Sequence, residues 1–599
     1  MNIWVCDFET FFSDDYTLKK LSTEHYIRDP RFEALMLAVR DPKGETFWVP
    51  QEDIKYFLGT IDWTKDAILC HHAHFDGLIF SHHYGVRPRM WFDTLSMARL
   101  VLGNHLSVAL GALAKHYGLE DKSVPYDLFR GKRWADIDPS LRVALGEGAC
   151  HDVSLTWDIF ARLAKDFPQE EYAVIDATVR MFTEPVLVGD AQALEQLQQD
   201  EQERKYLLLN RLGVTEQHLQ SAGTFVKILE NLGVEVEYKE GSKGPIPAIA
   251  KTDDFMKSLE AHPDETISTL AAARLEVRST LDQTRAGRLL GMAQRGNLPV
   301  YLSYCGAHTT RWSGGDRVNL QNLPRGGAIR KAISAPEGCL LAVVDASQIE
   351  CRILNYVAGQ HNVLEAFRQK RDLYCENASR FYGREITRAD KLERGLGKTL
   401  ELGCGYGLGW QRLQAQCHLG AMGSPPVDLT EEEARRGIDV YRNSHSMVTG
   451  LWKEAEMVLR VLADKGWMTW RCGMLVKDGR LYGPNGTWLN YTTLEWDAED
   501  RNYRLKTRKG WSKYYGAKLV ENVIQWLARI VMSQAMLRTI RNGYRVATTT
   551  HDELVVIIPD DGQSEAHLKY LEAELALTPQ WMPGIPLAAE GSVSKRYEK

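Results

Sequence analysis

Residues 340–352 read LLAVVDASQIECR, and residues 548–556 read TTTHDELVV. In the first stretch a continuous apolar run closed by an acid predicts a buried strand, Leu340–Val344, ending at Asp345. In the second, the span Tyr544–Ile558 is interrupted by His551, Asp552 and Glu553, which predicts a hairpin with those three near its turn. An acid at a strand end sits on rigid backbone beside a cleft, the placement that metal chemistry needs. If neighbouring strands bring Asp345 and the Asp552–Glu553 pair together, their carboxylates repel unless a divalent cation lies between them, and an all-oxygen site suits magnesium. Two such ions, about 3.5–4 Å apart, would activate an attacking hydroxyl and stabilise a leaving phosphate. The plainer alternative makes Asp345 the cap of a helix starting at Ser347 and leaves HDE as turn chemistry.

A third group of acids opens the chain. The strand Asn2–Cys6 runs into Asp7 and Glu9, whose i, i+2 spacing places both carboxylates on one face of a strand. Asp76 in HHAHFD, after the apolar run Ala67–Cys70, and Asp152 are further candidates for the same cluster. With helical spacing over Leu106–Tyr117, residues 1 to about 165 read as a small α/β domain. The alternative here is zinc held by Cys70, His71, His72 and His74, with His82 and His83 beyond. Adjacent residues on an extended chain point opposite ways, and no regular ligand spacing is present.

From about 170 to 290 the pattern is helical and polar, as in Asp190–Arg211, with glycine and proline breaks near Gly241–Pro247, and it suits a lever or clamp. A long, largely helical insertion separates the two acidic strands. Within it Arg394, Lys398 and Leu402 follow one another by four and share a helix face, so two cations project together toward a polyanion such as a triphosphate. Gly397-Lys398-Thr399 imitates the end of a P-loop, but Leu392 stands where that motif needs its first glycine. Gly403, Gly405 and Gly407 around Tyr406 make a poor surface helix and a good close-approach surface. Further on, Arg501–Lys518 holds seven basic residues and no acid, interleaved with Tyr503, Trp511, Tyr514 and Tyr515. Cations for phosphates and rings for bases are the combination expected for single-stranded nucleic acid, against the alternative of a solvated loop.

Composition sets the frame. A chain of 599 residues is long enough for about four folding units. With 44% hydrophobic and 25% charged residues it is globular rather than disordered, and its net charge of −6 excludes a uniformly basic coat. The ten cysteines include no CxxC pair, which points to a reducing compartment without a zinc ribbon. The start MNIWVCDFET has no basic leader and no stretch reaches ~18 apolar residues, so a soluble cytoplasmic protein with no membrane partner is expected.

In this order the motifs resemble family A DNA polymerases, the DNA polymerase I family, and most of all its compact bacteriophage members. DASQIECR resembles the family's DYSQIELR, RGLGKTLELGCGYG its RxxxKxxxxxxxYG helix, and THDELVV its closing HDE. TTRWSGGDRVNLQNLP is similar to the TGR and NLQNIP stretch, and KLVENVIQWLAR to the palm helix that follows. Ahead of these, DFET, HHAHFD and CHDVSLTWD resemble the three segments of a proofreading 3′–5′ exonuclease. The resemblance implies an α/β and α+β fold: a ribonuclease H-like 3′–5′ exonuclease domain over residues 1–168, followed by a right-hand polymerase. Its linker and thumb would span 169–300, the first part of the palm 301–385, the fingers 386–516 and the second part of the palm 517–599. An exonuclease-like segment that starts at Asp7 leaves no room for the 5′-nuclease domain of some relatives.

The same resemblance implies the roles of residues. Asp345 and Asp552 become the ligands of two Mg2+ ions in polymerisation, with Glu553 an auxiliary acid. Arg394 and Lys398 grip the triphosphate, Lys398 also supplying a proton to pyrophosphate. Tyr406 lies beside the templating base, Leu402 lines the nucleotide pocket, Glu350 crowds the sugar's 2′ position, and Gln348 sits beside it. Arg311, Asn322 and Gln525 touch the primer-template and His551 the primer end. Asp7, Glu9, Asp76 and Asp152 hold divalent ions for the exonuclease. DNA primer-template and dNTPs are the implied partners, with replication accessory proteins beside them, in the cytoplasm of a bacterium or of a phage's host. Departures stand at Ala346 and Cys351, where the family has Tyr and Leu, at Leu402, where many members have Phe or Tyr, and at His72, where Asn is usual. Gly148 replaces the tyrosine that orients the attacking water, leaving that task to another group such as His151, so a weakened proofreading activity is expected. A related single-subunit RNA polymerase and a non-catalytic nucleic-acid-binding scaffold are the alternatives.

Overall fold

The computed structural model describes residues 1–103, 105–122, 124, 126–241, 244–251, 253–278, 281–420 and 423–598. It divides into two units, of which the first comprises Met1–Val186, Pro299–Asn322 and Glu337–Lys595.

At the start of the first unit is a five-stranded sheet in the spatial order Thr46–Pro50, Ala34–Arg40, Ile3–Thr10, Ala67–Cys70, Met90–Asp93. The first three strands are antiparallel, and the last two join parallel to Ile3–Thr10. Parallel strands covered on both faces need continuous apolar runs, and every residue of Ala67–Cys70 is buried. Helix Pro139–Leu163 begins with Asp138 accepting the Leu141 N–H and proline in its first turn. It can lie on the sheet because Gly146 has no side chain: a methyl there would come within 2.4 Å of the Trp48 ring. This layering of helices on a mixed sheet is the α/β arrangement expected of the N-terminal part.

Helix Gln169–Thr183, which the sequence reading groups with the linker, folds with the first unit. The reason is Glu171. Its carboxylate takes both guanidinium nitrogens of Arg529, at 2.6 and 2.7 Å, the Tyr304 hydroxyl at 2.6 Å and the Asn485 amide at 3.1 Å. Both charged side chains are 1% exposed.

Arg529 belongs to the helix Gly516–Arg541, which is buried along most of its length and backs a four-stranded antiparallel sheet. That sheet has the order Arg545–Thr550, Glu553–Pro559, Cys339–Ala346, Ala589–Ser594. Between its first and second parts in sequence come the helices Lys391–Cys404, Trp410–His418, Glu431–Ser444 and Ser446–Ala463. The first three share a core that includes Leu396, Leu400, Leu413, Ile438 and Tyr441. Two small antiparallel sheets follow, one of four strands within Trp467–Asn490 and one of three within Leu494–Tyr514.

The second unit comprises Leu187–Leu298, Leu323–Pro336 and the chain end from Arg596. Helices Ala191–Leu212, Ala222–Asn231, Asp254–Glu260 and Glu265–Arg278 enclose Leu219, Phe225, Leu229, Met256 and Leu270. Arg274 is wholly buried there, its guanidinium 4.4 Å from the Phe225 ring centroid and donating to the Leu219 carbonyl. A short pairing of Val188–Gly189 with Ile333–Ser334 ties the separate segments of this unit together. Among the described residues no helix is long and apolar enough to cross a membrane.

Removing one member of a buried ion pair leaves the other charge uncompensated, whereas removing both need not. Glu171→Met is expected to cost about 3–5 kcal/mol in urea unfolding, and Arg529→Met added to it to recover most of that loss.

Candidate active sites

Strand Cys339–Ala346 runs between two partners, and both registers meet at its end: Asp345 stands opposite Glu553 on one side and Glu590 on the other. Directly opposed residues project from the same face, so three acids form a row across three strands. The turn that carries Asp552 is closed by His551 in the left-handed region, φ 49°. The backbone N–H of Ala346 donates to the Asp552 carbonyl at 2.8 Å, which brings the backbone of the two aspartates to the same end of the sheet. Asp345 is 8% exposed and Glu553 1%. Asp345 is a strand residue, and the N-cap position of helix Ile349–Ala358 is Gln348, itself left-handed at φ 49°. Glu590 was not singled out in the sequence, because an acid in AAEGSVS carries no pattern of its own until the strands are paired.

On helix Lys391–Cys404, Arg394, Lys398 and Leu402 share one partly exposed face, while Leu396, Leu400 and Cys404 are buried on the other. Arg394 donates to Asp372 from Nε at 3.0 Å and Nη2 at 2.9 Å, and Arg388 shares the same carboxylate. Gly397 owes its place to packing and not to a phosphate loop: a methyl there would lie 2.0 Å from the Tyr374 carbonyl of the neighbouring helix. Beyond the helix, the Tyr406 hydroxyl donates to Glu350 at 3.3 Å, and the other carboxylate oxygen of Glu350 receives the Arg311 guanidinium. Burial pushes the Tyr406 phenol well above its usual range, so it stays a neutral donor. Gln348 and Asn322 are exposed, and Gln525, half-buried on the long helix, donates to Glu521 at 3.3 Å.

The N-terminal sheet builds a second acidic centre. Asp7 and Glu9 on the central strand and Asp152 on helix Pro139–Leu163 each place a carboxylate oxygen within 4.8 Å of the others, and among the described residues they alone form such a group. Asp76 lies outside that trio, buried, its Oδ1 accepting the Phe8 N–H at 3.0 Å. Burial first, and then the Asp152 charge, pushes Asp7 up to about 7, against the opposing pull of Lys122. Glu9 and Asp76 are raised too, by burial and then by Asp7. Asp152 Oδ1 is buried without a hydrogen-bond partner. Oxygen donors that crowd and raise one another, with a buried oxygen unsatisfied, fit a divalent cation.

Two residues that the motifs did not indicate reach this centre from the segment after residue 118. Lys122 Nζ lies 2.7 Å from Asp152 Oδ2 and donates to the Tyr126 hydroxyl at 3.3 Å, and that hydroxyl donates to Glu9 Oε1 at 3.3 Å. Gly148 makes room for the segment, since a methyl there would come within 2.6 Å of Val124. His151 does not fill the vacancy left by the usual tyrosine: it is directed to the Asp121 carbonyl, 3.0 Å away. Among the described residues the histidines of HHAHFD form no cluster of metal-ligating atoms. His71 pairs with Thr94 at 2.9 Å, His72 with Tyr301 at 2.9 Å, and His74 packs on Phe182 and Tyr301, burial lowering all three pKa values.

The family model described as DNA polymerase family A matches residues 191–467. The DNA polymerase of Bacillus phage SP02 is 25% identical, and the alignment covers 99% of each chain. The thermostable DNA polymerase I of Thermus aquaticus is 29% identical over 57% of this chain, which spans only 38% of that longer protein. Among solved structures, the polymerase domain of Pol1 from M. smegmatis, in complex with DNA primer-template and dNTP, matches with a TM-score of 0.68 at 19% identity, covering 94% of this chain and 93% of that one. That structure shares the fold, the phage enzyme aligns over the whole length, and the family model covers the helix that carries Arg394 and Lys398: the chain is similar to the DNA polymerases of family A.

Proposed function

We propose that the chain extends a DNA primer along a template with deoxynucleoside triphosphates by two-metal phosphoryl transfer, and that its N-terminal sheet proofreads as a 3′–5′ exonuclease. The observation that supports the synthetic half is the backbone contact at the end of one sheet, where the Ala346 N–H donates to the Asp552 carbonyl next to Asp345. The primer-template and dNTP bound by the Pol1 domain supply the partners. Magnesium on Asp345 and Asp552 would activate the primer's 3′ hydroxyl and stabilise the departing pyrophosphate.

The chain's own residues do the rest. Arg394 exchanges Asp372 for a phosphate, offering a planar fork, and Lys398 adds a point charge and a proton for pyrophosphate. Glu350, fixed between Arg311 and Tyr406, is a side chain that cannot swing away, so a 2′ hydroxyl meets a carboxylate in a tight pocket. This favours DNA synthesis over the RNA polymerase reading. Tyr406 lies beside the templating base and Gln348 beside Glu350 at the nucleotide, while Arg311, Asn322, Gln525 and His551 line the path of the primer-template. In the exonuclease half, Asp7, Glu9 and Asp152, with Asp76 behind them, would hold divalent ions, and Tyr126 stands where a water is to be oriented. Activity in a bacterial cytoplasm, alongside accessory replication proteins, completes the reading.

Asp552→Asn is expected to lower primer extension by about a thousandfold or more, the several kcal/mol a metal site contributes, with DNA binding kept. A scaffold would show no extension to lose. Glu350→Ala is expected to raise incorporation of ribonucleotides relative to deoxynucleotides roughly a hundredfold, read in single-nucleotide extension. Asp7→Ala is expected to abolish shortening of a mismatched primer while synthesis continues, and degradation that survives the change would remove the exonuclease assignment.

A further inference from the structure

The family match ends at residue 467, and the three-stranded sheet within Leu494–Tyr514 lies beyond it. Its strands pair Glu495 with Arg504 and Arg504 with Lys513 on one face, and Leu494 with Leu505 and Leu505 with Ser512 on the other. The second face is turned inward, with Leu494, Leu505 and Tyr514 between 3% and 6% exposed. The first face is exposed. Several of its cations are already balanced: Arg504 by Glu495 and Asp497, Lys513 by Asp500, and, just after the sheet, Lys518 by Glu521. Lys506, Arg508 and Lys509, at the end of the hairpin Asn502–Tyr514, have no acidic partner among the described residues. Beside them Trp511 is 47% exposed, directly across the strands from Lys506.

The location gives this patch a purpose. The last strand runs into Tyr515, also 47% exposed, and then into the long helix. The junction is pinned: the Gly516 N–H donates to Glu456 at 2.6 Å, and a methyl on Gly516 would meet the Trp452 carbonyl at 1.9 Å. A methyl on Gly407 would touch Ala517 at 2.7 Å and the Tyr515 ring at 3.8 Å, and the Trp452 indole donates to the Gly405 carbonyl at 3.0 Å. The sheet is thus fastened to the turn that carries Tyr406. Tyr515 adjoins the turn that carries Tyr406, and Trp511 and the three cations lie farther out along the same hairpin.

We infer that this sheet is a binding surface for the single-stranded template ahead of the site of synthesis. The inference rests on the proposed polymerase function and on the placing of Tyr406 beside the templating base. Unstacked bases expose π-faces that a duplex hides, which matches exposed rings, and a phosphate backbone matches unpaired lysine and arginine. A protein partner would be recognised by the same cations only through acidic residues and would not depend on DNA length.

Full-length protein is to be titrated with primer-templates whose 5′ template overhang is two or ten nucleotides, over a series of salt concentrations. The unchanged chain is expected to bind the long overhang more tightly. The triple variant Lys506→Ala, Arg508→Ala, Lys509→Ala should lose that gain, with the salt slope on the long overhang shallower by about two, near 0.7 per phosphate contact. Trp511→Ala should weaken the long-overhang complex about fivefold or more. An equal loss on both overhangs, which would mean a duplex contact or a folding defect, or no loss on either, overturns the inference. Extension of the short-overhang substrate by the unchanged chain separates the two levels: its absence defeats the polymerase reading, whereas extension without any overhang effect defeats only the template surface.

Discussion

Three acids are lined up across three strands at the end of a rigid sheet, and much of the chain serves that placement. Strand Cys339–Ala346 is hydrogen-bonded on both sides, so Asp345 cannot retreat from Glu553 or Glu590 without breaking a ladder. A slip of one residue would send Asp345 to the opposite face. The helix Gly516–Arg541 lies behind the sheet and is itself locked by Arg529 to Glu171, a residue far away in sequence. Buried charge of that kind adds little net stability, but it specifies which helix sits against which.

The N-terminal sheet gathers its acids in another way, and there they raise one another. There the acids come from a central strand and a long helix, and a lysine from an irregular segment stands among them. Lys122 supplies one positive charge to Asp152, Asp7 and Glu9, which leaves Asp7 still raised to about 7. The absence of a side chain at Gly148 admits the segment that carries both Lys122 and Tyr126. A change that looks like the loss of a functional tyrosine is therefore also the condition for a different tyrosine to approach Glu9.

Charge in the basic strip is redistributed by folding in a similar way. Seven cations without an acid in the strip suggest a strongly positive patch, yet the preceding strand and loop bring Glu495, Asp497 and Asp500 against it. Tyr514, one of the interleaved rings, is buried and accepts the Asn522 amide at 3.0 Å, so it is not available for stacking. What remains exposed is smaller than the strip: Tyr515 beside the turn that carries Tyr406, and Trp511 with three cations toward the tip of the hairpin.

The apolar strand leading to Asp345, the hairpin around His551 and the helix face of Arg394 and Lys398 were legible in the sequence, because alternation and helical spacing are local properties set by backbone geometry. So was the acid pair Asp7 and Glu9, which shares a strand face by spacing alone. Glu590, Lys122 and Tyr126 were not legible, since nothing near them in the chain marks them; they gain meaning from segments brought close by strand register and by the space at Gly148. His151 looked suitable by proximity in sequence, and its helix turns it toward Asp121 instead. Gly397 imitated a phosphate loop until the carbonyl of Tyr374 showed why only glycine fits. Periodicity is written in neighbouring residues, whereas the meeting of distant side chains depends on packing that no local pattern encodes.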